Sequence, residues 1–398
     1  MPSGGVITWS DVSRPSIPPV SRYSGLPGGV AAAVARLERA VGRRPGSAKR
    51  AAPSAGACYP CEIVLAPVDH TALALVDLQQ RRLLVRSAER ECWNGDAFVY
   101  FLVGRPWLSM RRYGRRGYLY HLLDAGHAML NLAVAAADPP RDFRVPREVL
   151  RRAEEYAAQR AASVLAVGLL DRGGPGEAGA RWMLQETTRL PVPLSDVEMM
   201  ITSVLPPTPR PVWLRLDDDP DVAALAAALR QRHSASVLDA MPDTGGLGDA
   251  LAQTEKLCRR LVPALDLPVP EVRVFSRHPG LGATLPATTW VTQAILGQSD
   301  LVNASTFVVF QAEVPDKANG VLSPEAQRTV MACGMAGEIG YLVAARSGLG
   351  MTGIGGFDPV MWARQCGTAE DVLFLLAFGQ ERSGEKADAT GAGGNHGR

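Results

Sequence analysis

Five places along the chain carry residues whose types and spacing suit chemistry. Arg111-Arg112-Tyr113 and Arg115-Arg116 set a phenol among four cations. A tyrosine titrates at about 10 and can move protons near neutrality only if neighbouring cations lower it. Arginine stays protonated and cannot itself act as a base, though it can stabilise a tyrosinate or grip a carboxylate. Asp124 and His127 share one face of a helical segment, a spacing that fits a buried hydrogen bond. Cys58 and Cys61 form a lone Cys-x-x-Cys with no second pair, which excludes a zinc ribbon and leaves buried small hydrophobes or a redox couple. Pro53-Ser54-Ala55-Gly56 and Gly353-Ile354-Gly355-Gly356 are loops of small residues, where backbone N–H groups can approach a flat ring closely.

Two apolar helices must position these groups. Tyr120–Ala137 and Val330–Arg346 are apolar almost all round and rich in Ala and Gly, the pattern of close helix packing in a core. A strand follows each, at Ser163–Leu170 and Val372–Gly379. Leu165 with Phe374, Leu132 with Tyr341, and Glu62-Ile-Val-Leu with Glu271-Val-Arg-Val all match at an offset of 209 (374 − 165). One offset across three elements predicts an internal duplication. Punctuation at Asp171–Gly179 places the boundary, giving 1–175, 176–384 and a disordered polar tail at 385–398. The fold class expected is α+β.

Composition narrows the rest. The 398 residues suit two domains, and 42 basic against 40 acidic residues give no reason to expect nucleic acid or a membrane surface. No apolar run reaches the roughly 18–20 residues a bilayer requires. Six cysteines in so long a chain make no disulfide scaffold, so a cytoplasmic setting is expected.

Ala52–Leu65 (APSAGACYPCEIVL) resembles a motif of the SagB-type thiazole/oxazole (azoline) dehydrogenases, a branch of the FMN-dependent nitroreductase family. Arg111–Leu132 (RRYGRRGYLYHLLDAGHAMLNL) is similar to that branch's KYGxRGYRYxLLDAGHxxxNL block, and Gly348–Pro359 to its GLG…IGxFDD loop. The resemblance implies a nitroreductase-like fold whose tandem, diverged copies form an intramolecular pseudo-dimer, with FMN between them. The halves have decayed in complementary ways. The first keeps Pro53, Ser54, Ala55 and Gly56, while the second keeps Gly353, Ile354, Gly355 and Gly356. One composite FMN site per chain follows. For the phosphate, the family's Arg-Arg-Ser-x-Arg motif is matched to Gln185-Glu-Thr-Thr-Arg189, giving Arg189, with Arg382 as a second cation. Tyr113 and Arg112 stand at the family's catalytic Lys-Tyr pair, with Arg in place of Lys.

The activity so implied is an oxidoreductase that oxidises thiazolines or oxazolines in a modified precursor peptide, with a cyclodehydratase as an expected partner. Two alternatives stay open: an FMN oxidase of another amide-rich natural product, and a catalytically degenerate scaffold binding a precursor peptide or partner enzyme. The arginines at 111, 112, 115 and 116 are expected to face the peptide.

Overall fold

A computed structural model describes residues 22–44, 49–136, 144–160, 162–170, 182–188, 190, 209–217, 219–241, 245–313 and 322–382. The expected boundary loop at 171–179, the tail at 385–398, the loop 138–143 and Arg189 lie outside these residues.

The first half runs β1 (Arg22–Gly25), α1 (Gly28–Val41), β2 (Cys61–Pro67), β3 (Ala74–Asp77), β4 (Arg82–Arg86), β5 (Phe98–Gly104), α2 (Trp107–Tyr113), α3 (Arg116–Ala135), α4 (Arg147–Ala158) and β6 (Ser163–Leu170). Then come β7 (Met183–Thr187), β8 (Val212–Leu214), α5 (Pro220–Ala228), β9 (Leu238–Asp239), α6 (Gly245–Ala264) and β10 (Glu271–Ser276). The chain closes with β11 (Ala283–Thr284), α7 (Thr288–Ala294), β12 (Thr306–Ala312), α8 (Pro324–Arg346), β13 (Gly350–Ile354), α9 (Pro359–Cys366) and β14 (Asp371–Glu381). The α+β class is as expected. One sheet is ordered β1-β7-β4-β3-β2-β5-β6-β8 and the other β11-β10-β12-β14-β13, with β9 on the end of β14.

The central strands are continuous apolar runs because both faces are covered. Every residue of β5 (FVYFLVG) is buried, as is all of β6 after Ser163. The predicted helices begin earlier than the apolar runs suggested. Ser323 caps α8, its Oγ accepting from the Ala326 N–H, with Pro324 in the first turn.

Helices α3 and α8 cross at backbone contact. A Cβ at Gly126 would lie 2.0 Å from the Met331 carbonyl oxygen, and one at Gly334 would lie 2.1 Å from the Leu123 carbonyl oxygen. These reciprocal contacts define a pseudo-twofold axis with an offset of 208 (331 − 123 and 334 − 126). The sheets carry the same mark. The β5–β6 register slips between Leu102 and Val103, and the β12–β14 register between Phe310 and Gln311, again 208 apart (310 − 102). The pairs Glu62–Val103 and Glu271–Gln311 keep β2 and β10 at 209. The sequence matches of Leu165 with Phe374 and Leu132 with Tyr341 are therefore one residue out. The second half is one residue shorter between its first two matched strands.

Sheet membership also moves the boundary between halves. Strands β7 and β8, both after residue 176, pair in parallel with β4 and β6 of the first sheet. They cover edges that would otherwise present unpaired N–H and C=O groups.

Candidate functional site

The first half presents its Pro53–Gly56 loop from a fixed base. Ser54 Oγ donates to Asp124 Oδ2 at 2.6 Å, the Ala55 N–H donates to Asp124 Oδ1 at 3.2 Å, and the Tyr59 N–H donates to Ser54 Oγ at 2.8 Å. Asp124 thus holds the loop from α3, and it does not pair with His127 as its spacing suggested. Gly56 has φ of 56°, and a Cβ there would fall 2.1 Å from the Tyr113 hydroxyl. The turn requires glycine on both counts. Arg112 Nη1 closes it by donating to the Gly56 carbonyl at 2.8 Å.

The Gly353–Gly356 loop of the second half forms the facing wall. Tyr120, on the first half's core helix, donates from its hydroxyl to the Gly355 carbonyl at 2.5 Å, so it bridges the halves rather than merely packing. The Gly353 N–H donates to the Tyr341 hydroxyl at 2.6 Å, and Gln298 Nε2 to the Gly356 carbonyl at 2.6 Å. A Cβ at Gly355 would meet nothing nearer than the Tyr120 ring at 3.8 Å, so this backbone borders open space. Ile354 differs from its neighbours: its side chain is fully buried in the second half's core, as strand alternation requires.

Between the walls lies a cleft of about 1080 Å³, lined by Pro53, Ser54, Ala55, Gly56, Arg112, Tyr113, Gly353, Gly355 and Gly356 among others. Two loops almost 300 residues apart in sequence are brought to one cavity. The cleft is strongly cationic. Arg44, Lys49, Arg50, Arg230, Arg232 and His233 also line it, and none of them was singled out from the sequence. Arg44 Nε and Nη2, and Arg232 Nε and Nη1, are buried N–H donors without a hydrogen-bond partner among the described residues. Burial lowers the Arg44 guanidinium to about 10, with Arg232 next in effect. Glu338, with Oε1 3.6 Å from Arg232 Nε, offsets part of this charge, and a further anion would satisfy the N–H donors that make no hydrogen bond.

The expected phosphate ligands fall elsewhere. Arg382 is clasped by Asp239 through Nε at 2.8 Å and Nη2 at 2.6 Å, away from the cleft lining. Gln185, Glu186 and Thr187 are buried on β7 in the first sheet, where Gln185 Oε1 accepts from Arg82 Nη1. The Arg-Arg-Ser-x-Arg pattern is better matched by Arg232-His233-Ser234-Ala235-Ser236, which keeps its first and third positions.

The arginine cluster disperses. Arg111 lies over Trp107 and Arg116 over Phe357, Arg115 is exposed, and of the four only Arg112 lines the cleft. Burial pushes the Tyr113 phenol above its ordinary range, and the opposing influence of Arg112 does not reverse this. The sequence expectation of a cation-lowered tyrosine is not met, because of the four arginines only Arg112 acts on the phenol. Cys58 and Cys61 are free thiols, both pushed up by burial, and no cluster of metal-binding side chains occurs among the described residues. No described helix is long and apolar enough to cross a membrane.

Asp124 carries a pH consequence. Burial raises its carboxyl to about 7 despite the hydrogen bonds from Ser54 and Ala55. The folded state then binds this proton more tightly than the unfolded chain does, so its stabilising effect is complete below about pH 4 and fades as pH rises to about 7. Urea midpoints should fall across that window, and Asp124→Asn should flatten the fall. A wild-type midpoint rising from pH 4 to 7, with the same rise in Asp124→Asn, would show that this carboxyl does not govern the window.

No family model and no curated protein matches the sequence. Among solved structures, a protein of Anabaena variabilis described as a nitroreductase superposes with a TM-score of 0.61 at 17% identity, covering 95% of this chain and 96% of its own. A Bacillus subtilis protein described as a nitroreductase covers 44% of this chain and 95% of its own at 17% identity and a TM-score of 0.30. The whole-length match establishes the nitroreductase-like fold.

Proposed function

We propose that the cleft between the halves binds one FMN and that the chain is an FMN-dependent oxidoreductase acting on azoline rings of a modified precursor peptide. The observation that carries this reading is the meeting of the Pro53–Gly56 and Gly353–Gly356 loops across a single cavity edged by unpartnered arginine N–H groups. The residues fit the cofactor. The glycine backbone at 355 and 356 leaves room for a flat ring, and Arg44 and Arg232 supply donors of the kind a phosphate satisfies. Once bound, the flavin would supply a two-electron acceptor.

The chain's own residues do the remaining work. Asp124 fixes the Ser54 loop, Tyr120 ties the two walls together, and Tyr113 with Arg112 forms the rim beside Gly56. The degenerate-scaffold alternative draws on one observation: a raised tyrosine beside an arginine is poorly suited to proton removal. A thiazoline peptide incubated with flavin-loaded protein separates the two. Loss of two hydrogens by mass supports the dehydrogenase, whereas an unchanged peptide that still binds supports the scaffold.

A further inference from the structure

Proton removal has no evident agent in the residues named so far, and the floor of the cleft offers one. His127, on α3, is 3% exposed and lines the cleft. Its Nδ1 lies 3.1 Å from Oε2 of Glu338, a fully buried carboxylate on α8 whose Oε1 is 3.6 Å from Arg232 Nε. The ring is clamped edge-on by Tyr341 and Phe374, with centroids 6.0 and 5.6 Å away. Gly337 leaves it room, since a Cβ there would sit 3.0 Å from His127 Cε1. The ring's hydrogen bond among the described residues is made at Nδ1, not at Nε2.

The pseudo-twofold supplies a control inside the same molecule. At the offset of 208, His127 corresponds to Met335 and Glu338 to Leu130, both fully buried and apolar. The same crossing is therefore filled without charge on one side and with a buried ionisable pair on the other. Buried pairs rarely improve stability over an apolar filling. The pair occurs on the side that borders the composite cleft.

We infer that His127, oriented by Glu338, is the proton acceptor of the cleft; this rests on the azoline reading above. Glu338 is a positioning residue. Its carboxylate accepts the Nδ1 hydrogen, which fixes Nε2 as the basic nitrogen and balances the imidazolium that forms. In the step, the C–H bond beside the peptide carbonyl breaks and its proton goes to Nε2. Its electron pair becomes the new ring double bond as hydride leaves the neighbouring carbon, for which a bound oxidised flavin would supply the two-electron acceptor. The other candidates in the cleft are committed: Asp124 to Ser54 and Ala55, and His233 to Glu381 at 2.5 Å. The charged and titratable groups around His127 are Glu338 and Tyr341 from α8, Arg232 after α5, Arg44 after α1, and Asp124 one turn earlier on α3.

The test uses full-length, flavin-loaded protein with a thiazoline peptide followed by mass spectrometry, and ring ¹⁵N NMR of the histidines assigned through His127→Asn. His127→Asn should slow oxidation about a hundredfold or more at unchanged flavin content. Glu338→Gln should slow it less and move the acid limb of the rate profile to lower pH. The spectrum should show the His127 proton on Nδ1. Full activity in His127→Asn, or a proton resting on Nε2, would overturn the inference. If flavin-loaded wild type leaves the peptide unchanged, the azoline reading fails, and the tautomer measurement still decides whether Nε2 is available as a base.

Discussion

Replacing Gly126 with Val should lower the stability of the chain by at least about 3 kcal/mol, the upper range for overpacking a close-packed interior. The new Cβ would sit 2.0 Å from the Met331 carbonyl oxygen and 2.7 Å from the Met335 nitrogen, and both are backbone atoms that no rotamer change can move. Gly334→Val should behave alike, because Leu123 meets it in the same way across the pseudo-twofold. Gly246→Ala, with nothing within 4 Å of its Cβ, is the control and should change stability by less than about 1 kcal/mol. Urea unfolding monitored by circular dichroism measures all three. Wild-type midpoints in Gly126→Val and Gly334→Val would mean that α3 and α8 do not cross here, and the pseudo-dimer would fall with them.

Gly355→Val and Gly356→Val should weaken FMN binding about a hundredfold or more, roughly 3 kcal/mol, while leaving the urea midpoint near wild type. Neither glycine has a backbone conformation reserved for glycine, and a Cβ at 356 meets nothing nearer than Gln298 Nε2 at 3.4 Å. The added methyl groups would enter the space the ring requires. Gly56→Val is a poorer probe. Its positive φ and the collision with the Tyr113 hydroxyl would perturb the loop whatever the cleft binds. Flavin retention in both the 355 and 356 variants would mean that the second half's loop does not border the cofactor.

The fold was legible because its determinants are local or repeat along the chain. All-round apolarity marked α3 and α8, and two apolar runs matched β6 and β14 almost to the residue. The offset exposed the duplication, but a single-residue length difference between matched strands cannot be read from apolar patterns, where Leu132 fits Tyr341 as well as it fits Gly340. Strands β7 and β8 escaped because their sheet partners are set by edges the first half leaves open, a property of the assembled sheet.

The loops were legible from residue type: Gly56 because its positive φ requires glycine, Gly355 and Gly356 because bare backbone there borders open space. The site was poorly legible where charge meets charge across the fold. Arg44 and Arg232 are 188 residues apart (232 − 44) and gain meaning only when the fold brings their charges within range of each other. Glu338 is one polar residue in an apolar helix, and nothing in its neighbours points to His127 on the other core helix. Asp124 and His127 looked like partners by spacing, yet the halves packed around them gave each a different one.

The central claim is a single composite cofactor site made by both halves. Titrating purified wild-type protein with FMN under saturating conditions, and reading bound flavin against protein concentration, tests it most directly. The account predicts one flavin per chain. Two flavins per chain would contradict the composite site, and none would show that the cleft serves another ligand.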